Sequence, residues 1–200
     1  MNKYFIFILI LFSVLSCRDY ESEEYIKNEN EAINDLILEL TNFSRMSELN
    51  KWERKLNLYL FSELDNKAPW IEKPKGYTIS INGIDLPKEE LEKNKNEYSE
   101  YLEQYKKTKR LFSPLYKEKM KRRKLNFPFS NDSLKIKLSN TETEKIKDGD
   151  FGYLSISRIV FNNNFTVGYL HYGFYCGMCC AWNNAIEIKK TNNKRTITER

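Results

Sequence analysis

LSISRIVFNNNFTVGYLHYGFY, residues 154–175, decides the fold. Its branched and aromatic residues suit a pleated, half-buried surface, and its run of three Asn interrupts them. Leu154–Phe161 therefore reads as a strand, Asn162-Asn163-Asn164 as a turn in which Asn tolerates positive φ, and Phe165–Tyr175 as the returning strand. Downstream, Ala185–Lys190 and Arg195–Thr198 are two more strands around the turn Thr191–Lys194, giving a four-stranded antiparallel meander.

Upstream the period changes. Leu134, Ile136 and Leu138 alternate with Lys135 and Lys137, as do Leu56, Leu58 and Leu60 with Asn57 and Tyr59. Tyr77, Ile79 and Ile81, bounded by Gly76 and Gly83, read as a hairpin arm. Residues 31–47 place Ile33, Leu36, Ile37, Leu40 and Phe43 on one helical face. Residues 86–112 predict a long helix with Asp85 as its cap, Pro87 in its first turn and a seam of Leu91, Tyr98, Leu102, Tyr105 and Phe112. A shorter basic helix is expected to run to about Lys124. The expected class is α+β: a helical N-terminal two-thirds followed by a C-terminal antiparallel β-meander.

Composition bounds the function. The chain has 200 residues, enough for one ordinary domain. With 40% hydrophobic and 14% aromatic residues it can build a core, which excludes a wholly disordered chain. Seven Gly and five Pro exclude collagen-like and linker-dominated classes.

The N-terminus sets the compartment. In MNKYFIFILILFSVLSC, Lys3 supplies a positive start and Tyr4–Leu15 is apolar apart from Ser13. This stretch spans roughly 18 Å as a helix, short of the roughly 30 Å hydrocarbon core, so it reads as a signal peptide over residues 1–16. Val14-Leu15-Ser16-Cys17 resembles the lipobox of bacterial lipoproteins, with Val where Leu is usual. The resemblance implies that Cys17 receives a diacylglycerol and becomes the N-terminus. Several acyl chains then anchor durably where one is marginal. Residues 17–30, acidic after Cys17, read as a tether, and residues 31–200 as a single globular domain. The implied location is the cell envelope, with the outer membrane favoured.

Cys176, Cys179 and Cys180 form a C-x-x-C-C loop between two strands. In an oxidising compartment a disulfide is favoured, as Cys176–Cys179 or Cys176–Cys180. A metal site of His171, Cys176 and Cys179 is an alternative, although zinc thiolates usually come as two separated Cys pairs. Thiol-redox catalysis is a third reading, against which stands the missing helix N-terminus beside the motif.

Ser157–Asn162, then Gly168-Tyr169, then Tyr175-Cys176-Gly177-Met178-Cys179 resemble the C-terminal module of a group of small uncharacterised bacterial lipoproteins. In that module a strand pair ends in C-G-x-x-C and a further pair carries Gly-x-Trp. Here Lys194-Arg195-Thr196-Ile197 stands in place of Gly-x-Trp. The resemblance implies a fold module and no activity.

Charge is segregated. Residues 106–124 hold ten Lys/Arg and one acid, whereas residues 18–48 hold nine acids and three bases. Lys117–Lys124 reads as a solvated helix end that could contact anionic lipid headgroups or an acidic envelope protein. Nucleic acid is not expected in that compartment. With one His and no Gly-x-Ser-x-Gly, His-Glu-x-x-His or P-loop, no catalytic residue and no cofactor is implied. The reading is a non-catalytic, membrane-anchored binding or accessory module. The rivals are a thiol or metal protein using His171 and Cys176–Cys180, and an envelope immunity or inhibitor protein.

If the cysteine loop holds a disulfide, Cys176→Ala should cost about 1–3 kcal/mol and lower the melting temperature by several degrees under oxidising conditions. Reductant should lower the wild type similarly and leave the variant unchanged. Destabilisation by chelator, with none from reductant, would point to metal.

Overall fold

The computed structural model describes residues 18–40, 56–81, 83–126, 128–129, 134–140, 150–175 and 181–199. Helix α1 is Glu23–Leu40. Ser22 starts it: its Oγ accepts from the amide of Tyr25, and Glu23 and Glu24 fill the first turn, where the helix dipole favours acids. The stripe Tyr25, Ala32, Ile33, Leu36, Ile37 and Leu40 is fully buried.

That stripe packs on a seven-stranded mixed sheet. Its strands are β1 (Leu56–Phe61), β6 (Leu134–Ser139), β7 (Asp150–Ile156), β8 (Val160–Phe161), β9 (Val167–Tyr175), β10 (Ala181–Thr191) and β11 (Lys194–Glu199). The spatial order is β11-β10-β9-β7-β1-β6, with β8 paired to β9. Strand β1 runs parallel to both β6 and β7, while β7-β9-β10-β11 is antiparallel. Leu58, Leu60, Leu154, Ile156, Leu170, Tyr172, Phe174, Ile186 and Ile188 are buried on the sheet, in one cluster with the α1 stripe.

The meander is as expected, but the class is not. A helical N-terminal two-thirds with a separate C-terminal sheet is overturned: Leu56–Phe61 pairs between β6 and β7 inside the one large sheet, and the fold is mixed α/β. Alternation revealed the strand, whereas its partners are set by packing across more than 70 positions of sequence. Both faces of a central strand need cover, and Tyr59 meets that need by stacking on Tyr153 at 4.9 Å, on the face away from Leu58 and Leu60.

Three local readings also change. Residues 17–30 are not a free tether in their described part, since α1 begins at Glu23 and Tyr25, Glu29 and Asn30 are buried. The basic helix to Lys124 is a single turn, α3 (Ser113–Tyr116), followed by β5 (Arg123–Lys124) paired with β2 (Glu63–Leu64). The Leu154–Phe161 strand is broken at Ser157–Ile159.

The break has an electrostatic cause. Instead of joining the ladder, the Ile159 amide donates to Glu29 Oε1 at 2.9 Å. Arg158 Nε donates to both oxygens of the same carboxylate at 2.9 and 3.0 Å, and Arg123 Nε donates to Oε2 at 2.9 Å. Arg158 also reaches Glu21, the Lys121 carbonyl and the Tyr20 carbonyl at 2.6–2.9 Å. Two acids and two arginines therefore form a neutral, multiply hydrogen-bonded group in which Glu29 and Arg158 have no solvent exposure. Tyr25 closes it, donating to the Ile159 carbonyl at 2.5 Å, and burial pushes its phenol above its ordinary value.

The hairpin turns differ in their chemistry. Asn192 and Asn193 both take positive φ, as a two-residue hairpin of type I′ requires. In the other turn the positive φ falls on Phe165, not on the three Asn. Asn162 works through its side chain, whose Oδ1 accepts from the amides of Thr166 and Val167.

Helix α2 (Lys88–Leu111) has no buried residue. With the short hairpin β3–β4 (Ser80–Ile81, Ile84–Asp85) it forms an arm beside the sheet, capped at Pro87 and not at Asp85. Of the seam read along it, Leu91, Tyr98, Leu102 and Tyr105 are only half-buried, with the thin stretch 74–78 beside Tyr98, while Phe112, just past the helix end, is buried in the core.

Glu29→Gln keeps the shape and removes the charge that Arg123 and Arg158 face. It should cost about 3–5 kcal/mol in urea unfolding, since one partner of a buried pair is lost. Glu24→Gln, on an exposed position, should change stability by less than about 0.5 kcal/mol. Equal effects would remove the special role of Glu29.

Candidate functional site

Cys17, Cys176, Cys179 and Cys180 lie outside the described residues, so the lipidation, disulfide and thiol readings are not located. His171 lies on β9, on the face opposite the α1 core. Its ring is 6.4 Å from that of Phe112, and its Nε2 is 2.7 Å from the Lys67 carbonyl oxygen. A carbonyl only accepts, so Nε2 carries the proton and is engaged. Burial lowers the imidazole pKa, opposed by the Lys67 carbonyl and by nearby Asp65. Among the described residues no group of three or more His, Cys, Asp or Glu is arranged to hold a metal.

The basic run divides. Arg123 points inward to Glu29 and Asn30, with 8% exposure, and Met120 is fully buried. Lys117, Lys119, Lys121, Arg122 and Lys124 remain exposed. Reading the stretch as one solvated helix end is therefore corrected: in a strand the side chains alternate, so Arg123 turns in while Arg122 and Lys124 turn out.

Arg122 and Lys124 line a polar cleft of about 410 Å³. It opens where three parallel strands end: Phe61 of β1, Ser139 of β6, and Ser155 and Ile156 of β7. Clefts beyond the carboxyl ends of parallel strands are a recurrent place for ligands, because the chain leaves the sheet there and side chains converge. Glu63, Asp65, Ser62 and Asn140 complete the lining. Arg122 Nε is 3.6 Å from Asp65 Oδ1, and both residues keep substantial exposure.

This lining binds better than it reacts. Ser62 donates to the Asn140 side-chain oxygen at 2.5 Å, and Ser155 donates to the Gly173 carbonyl at 3.2 Å. Neither hydroxyl meets a base in these bonds, and an unactivated hydroxyl is a poor nucleophile. Two cations, two carboxylates and several hydroxyl and amide groups instead suit a polar solute with groups of both signs. Sequence reading missed this cleft, because its residues come from four separate stretches. The residue-level clue was Ser62 and Ser139, small polar residues directly ending two apolar alternations.

Arg195 is 1% exposed and packs under α1, donating from Nη2 to Asn28 Oδ1 at 2.6 Å. Its amide donates to Asp35 Oδ2 at 2.9 Å, and its guanidinium lies 5.5 Å from the Phe161 ring. No helix among the described residues is long and apolar enough to cross a membrane. No family model, curated protein or solved structure matches the chain.

His171 is the one histidine of the sequence. Its lowered pKa means that the unfolded chain takes up the proton before the folded one does. Stability should therefore fall as pH drops from about 7.5 through the ordinary imidazole range, near 6.5, and on down to the lower folded value. His171→Gln removes this contribution while leaving the carboxylates in place. The difference in unfolding free energy between wild type and variant should depend on pH across that window, and a constant difference would contradict the assignment.

Proposed function

We propose that this protein is a lipid-anchored, non-catalytic binding module of a bacterial cell envelope, which uses the cleft at the ends of β6, β1 and β7 to hold a polar ligand. The observation that carries the anchoring is Val14-Leu15-Ser16-Cys17 directly after a short apolar stretch with a basic start. A twelve-residue stretch, apolar but for Ser13, is too short for a span, but it suits an exported precursor whose Cys17 thiol is acylated. A thiol is a suitable acceptor, because its thiolate is the strongest nucleophile among the side chains at modest pH.

Binding is favoured over catalysis because the two cleft hydroxyls whose bonds are described, Ser62 and Ser155, donate to an amide oxygen and a backbone carbonyl and not to a base. The metal alternative would need His171 to give up its bond to the Lys67 carbonyl or to coordinate through Nδ1. Exposed members of the basic run beside the cleft, chiefly Arg122 and Lys124, are the groups that would meet an acidic partner or an anionic headgroup.

Cys17→Ser should move the protein from the membrane to the soluble fraction after expression in a bacterial host, and the mass of the wild-type N-terminal peptide should show the acyl chains. A variant that stays membrane-bound through a carbonate wash would falsify the anchor.

A further inference from the structure

Arg18 follows Cys17 directly and is locked to the domain. Its Nη1 donates to the Phe161 carbonyl, and its Nη2 donates to the Asn162 carbonyl at 2.7 Å. The guanidinium also covers two aromatic rings, 5.0 Å from the centre of Tyr25 and 4.8 Å from that of Phe165. The next residues form a turn rather than slack chain: Asp19 Oδ1 accepts from the Glu21 amide, and the Asp19 carbonyl accepts from Ser22 Oγ. Ser22 then starts α1.

The strands say which end of the molecule this is. Strand β9 begins at Val167, beside the Asn162 turn, and runs away from it to Tyr175. Strand β10 returns, so Asn192 and Asn193 lie at the same end as Arg18. Strands β6, β1 and β7 run towards this end, but β7 stops at Ile156 opposite Tyr172, so the polar cleft lies part-way along the sheet, about 17 Å short of Val167. Consecutive Cα atoms lie about 3.8 Å apart, so an acyl group on Cys17 would leave the protein at this surface.

We propose that the Arg18 end, with the Asn162–Thr166 and Thr191–Lys194 turns, is a lipid-facing surface that the clamped N-terminus holds directly against the headgroup layer. The proposal rests on the lipid-anchored reading. The occupant is the bilayer itself and not an anionic lipid in particular. Lys190 lies 4.0 Å from Glu31 Oε2, and Asp19, Glu21, Glu23 and Glu24 follow Arg18 closely in sequence, so the covalent anchor and not net charge holds the surface down. The opposite end, about 26 Å away along β9, would project away from the lipid.

The test compares the lipidated full chain, purified from membranes and reconstituted into phosphatidylcholine vesicles, with Cys17→Ser in solution. A membrane-impermeant amine-acylating reagent reads Lys194 at the Arg18 end and Lys135 at the far end, both exposed in the fold. On vesicles Lys194 should react several-fold more slowly than in solution, with Lys135 unchanged. Adding phosphatidylglycerol should leave that protection as it is. A flexible Gly/Ser stretch inserted between Cys17 and Arg18 should restore the solution rate, and Arg18→Ala should restore part of it. If the wild type floats with the vesicles yet Lys194 and Lys135 both react at their solution rates, the domain stands off on a tether and the proposal fails while the anchor stands. If the wild type carries no acyl chains and does not float, both fall together.

Discussion

A single carboxylate under a helix organises this fold. Glu29 sits in the apolar stripe of α1 with no solvent exposure, and the charge it brings must be met there. Arg158, Arg123 and the Ile159 amide meet it from three directions. Replacing such a group wholesale by well-packed apolar residues need not destabilise a protein, whereas removing one member does, because the others stay buried. The group therefore acts as a specificity device. It admits one register of α1 on the sheet and one path for the chain through residues 157–159.

That path has consequences for the surface. Because Ile159 gives its amide to Glu29, β7 ends at Ile156, and Asp65 takes up the slack. Its carbonyl accepts from the Arg158 amide at 2.7 Å, and its amide donates to the Ile156 carbonyl at 3.0 Å. Beyond Ile156 the pairing is reduced to this single parallel bridge of Asp65 to Ser157 and to the Ser157 amide on the His171 carbonyl, and the polar cleft lies beside it. The stretch 122–124 links the two features, since Arg123 of β5 serves the buried group while Arg122 and Lys124 on either side of it line the cleft. A change at Glu29 should for that reason be felt at the cleft wall as well as in stability.

The start of the domain follows the same logic. Tyr20 and Glu21 lend groups to Arg158, and Arg18 is held at the turn next to Phe161. Residues that look by composition like a solvated acidic leader are instead part of the packed body.

The sequence by itself determined the elements with strong local periodicity. The hairpins around Asn162–Thr166 and Asn192-Asn193, the Leu58 and Leu60 alternation, and the long polar helix after Pro87 were all legible, because side-chain period and turn residues are local. Glu29 was legible in part: it falls four residues after Tyr25 and three before Ala32, on the buried stripe, but a helix begun at residue 31 leaves it outside. Tertiary structure alone decided the rest. Placing β1 between β6 and β7 makes the sheet mixed, and no local pattern states a strand's partners. Turning Arg123 inward splits a run of like charges into a buried ion pair and a cleft wall. The first outcome is set by strand pairing and apolar packing and the second by a carboxylate brought from another part of the chain, and neither the packing nor the balance of desolvation against pairing exists until the chain is folded.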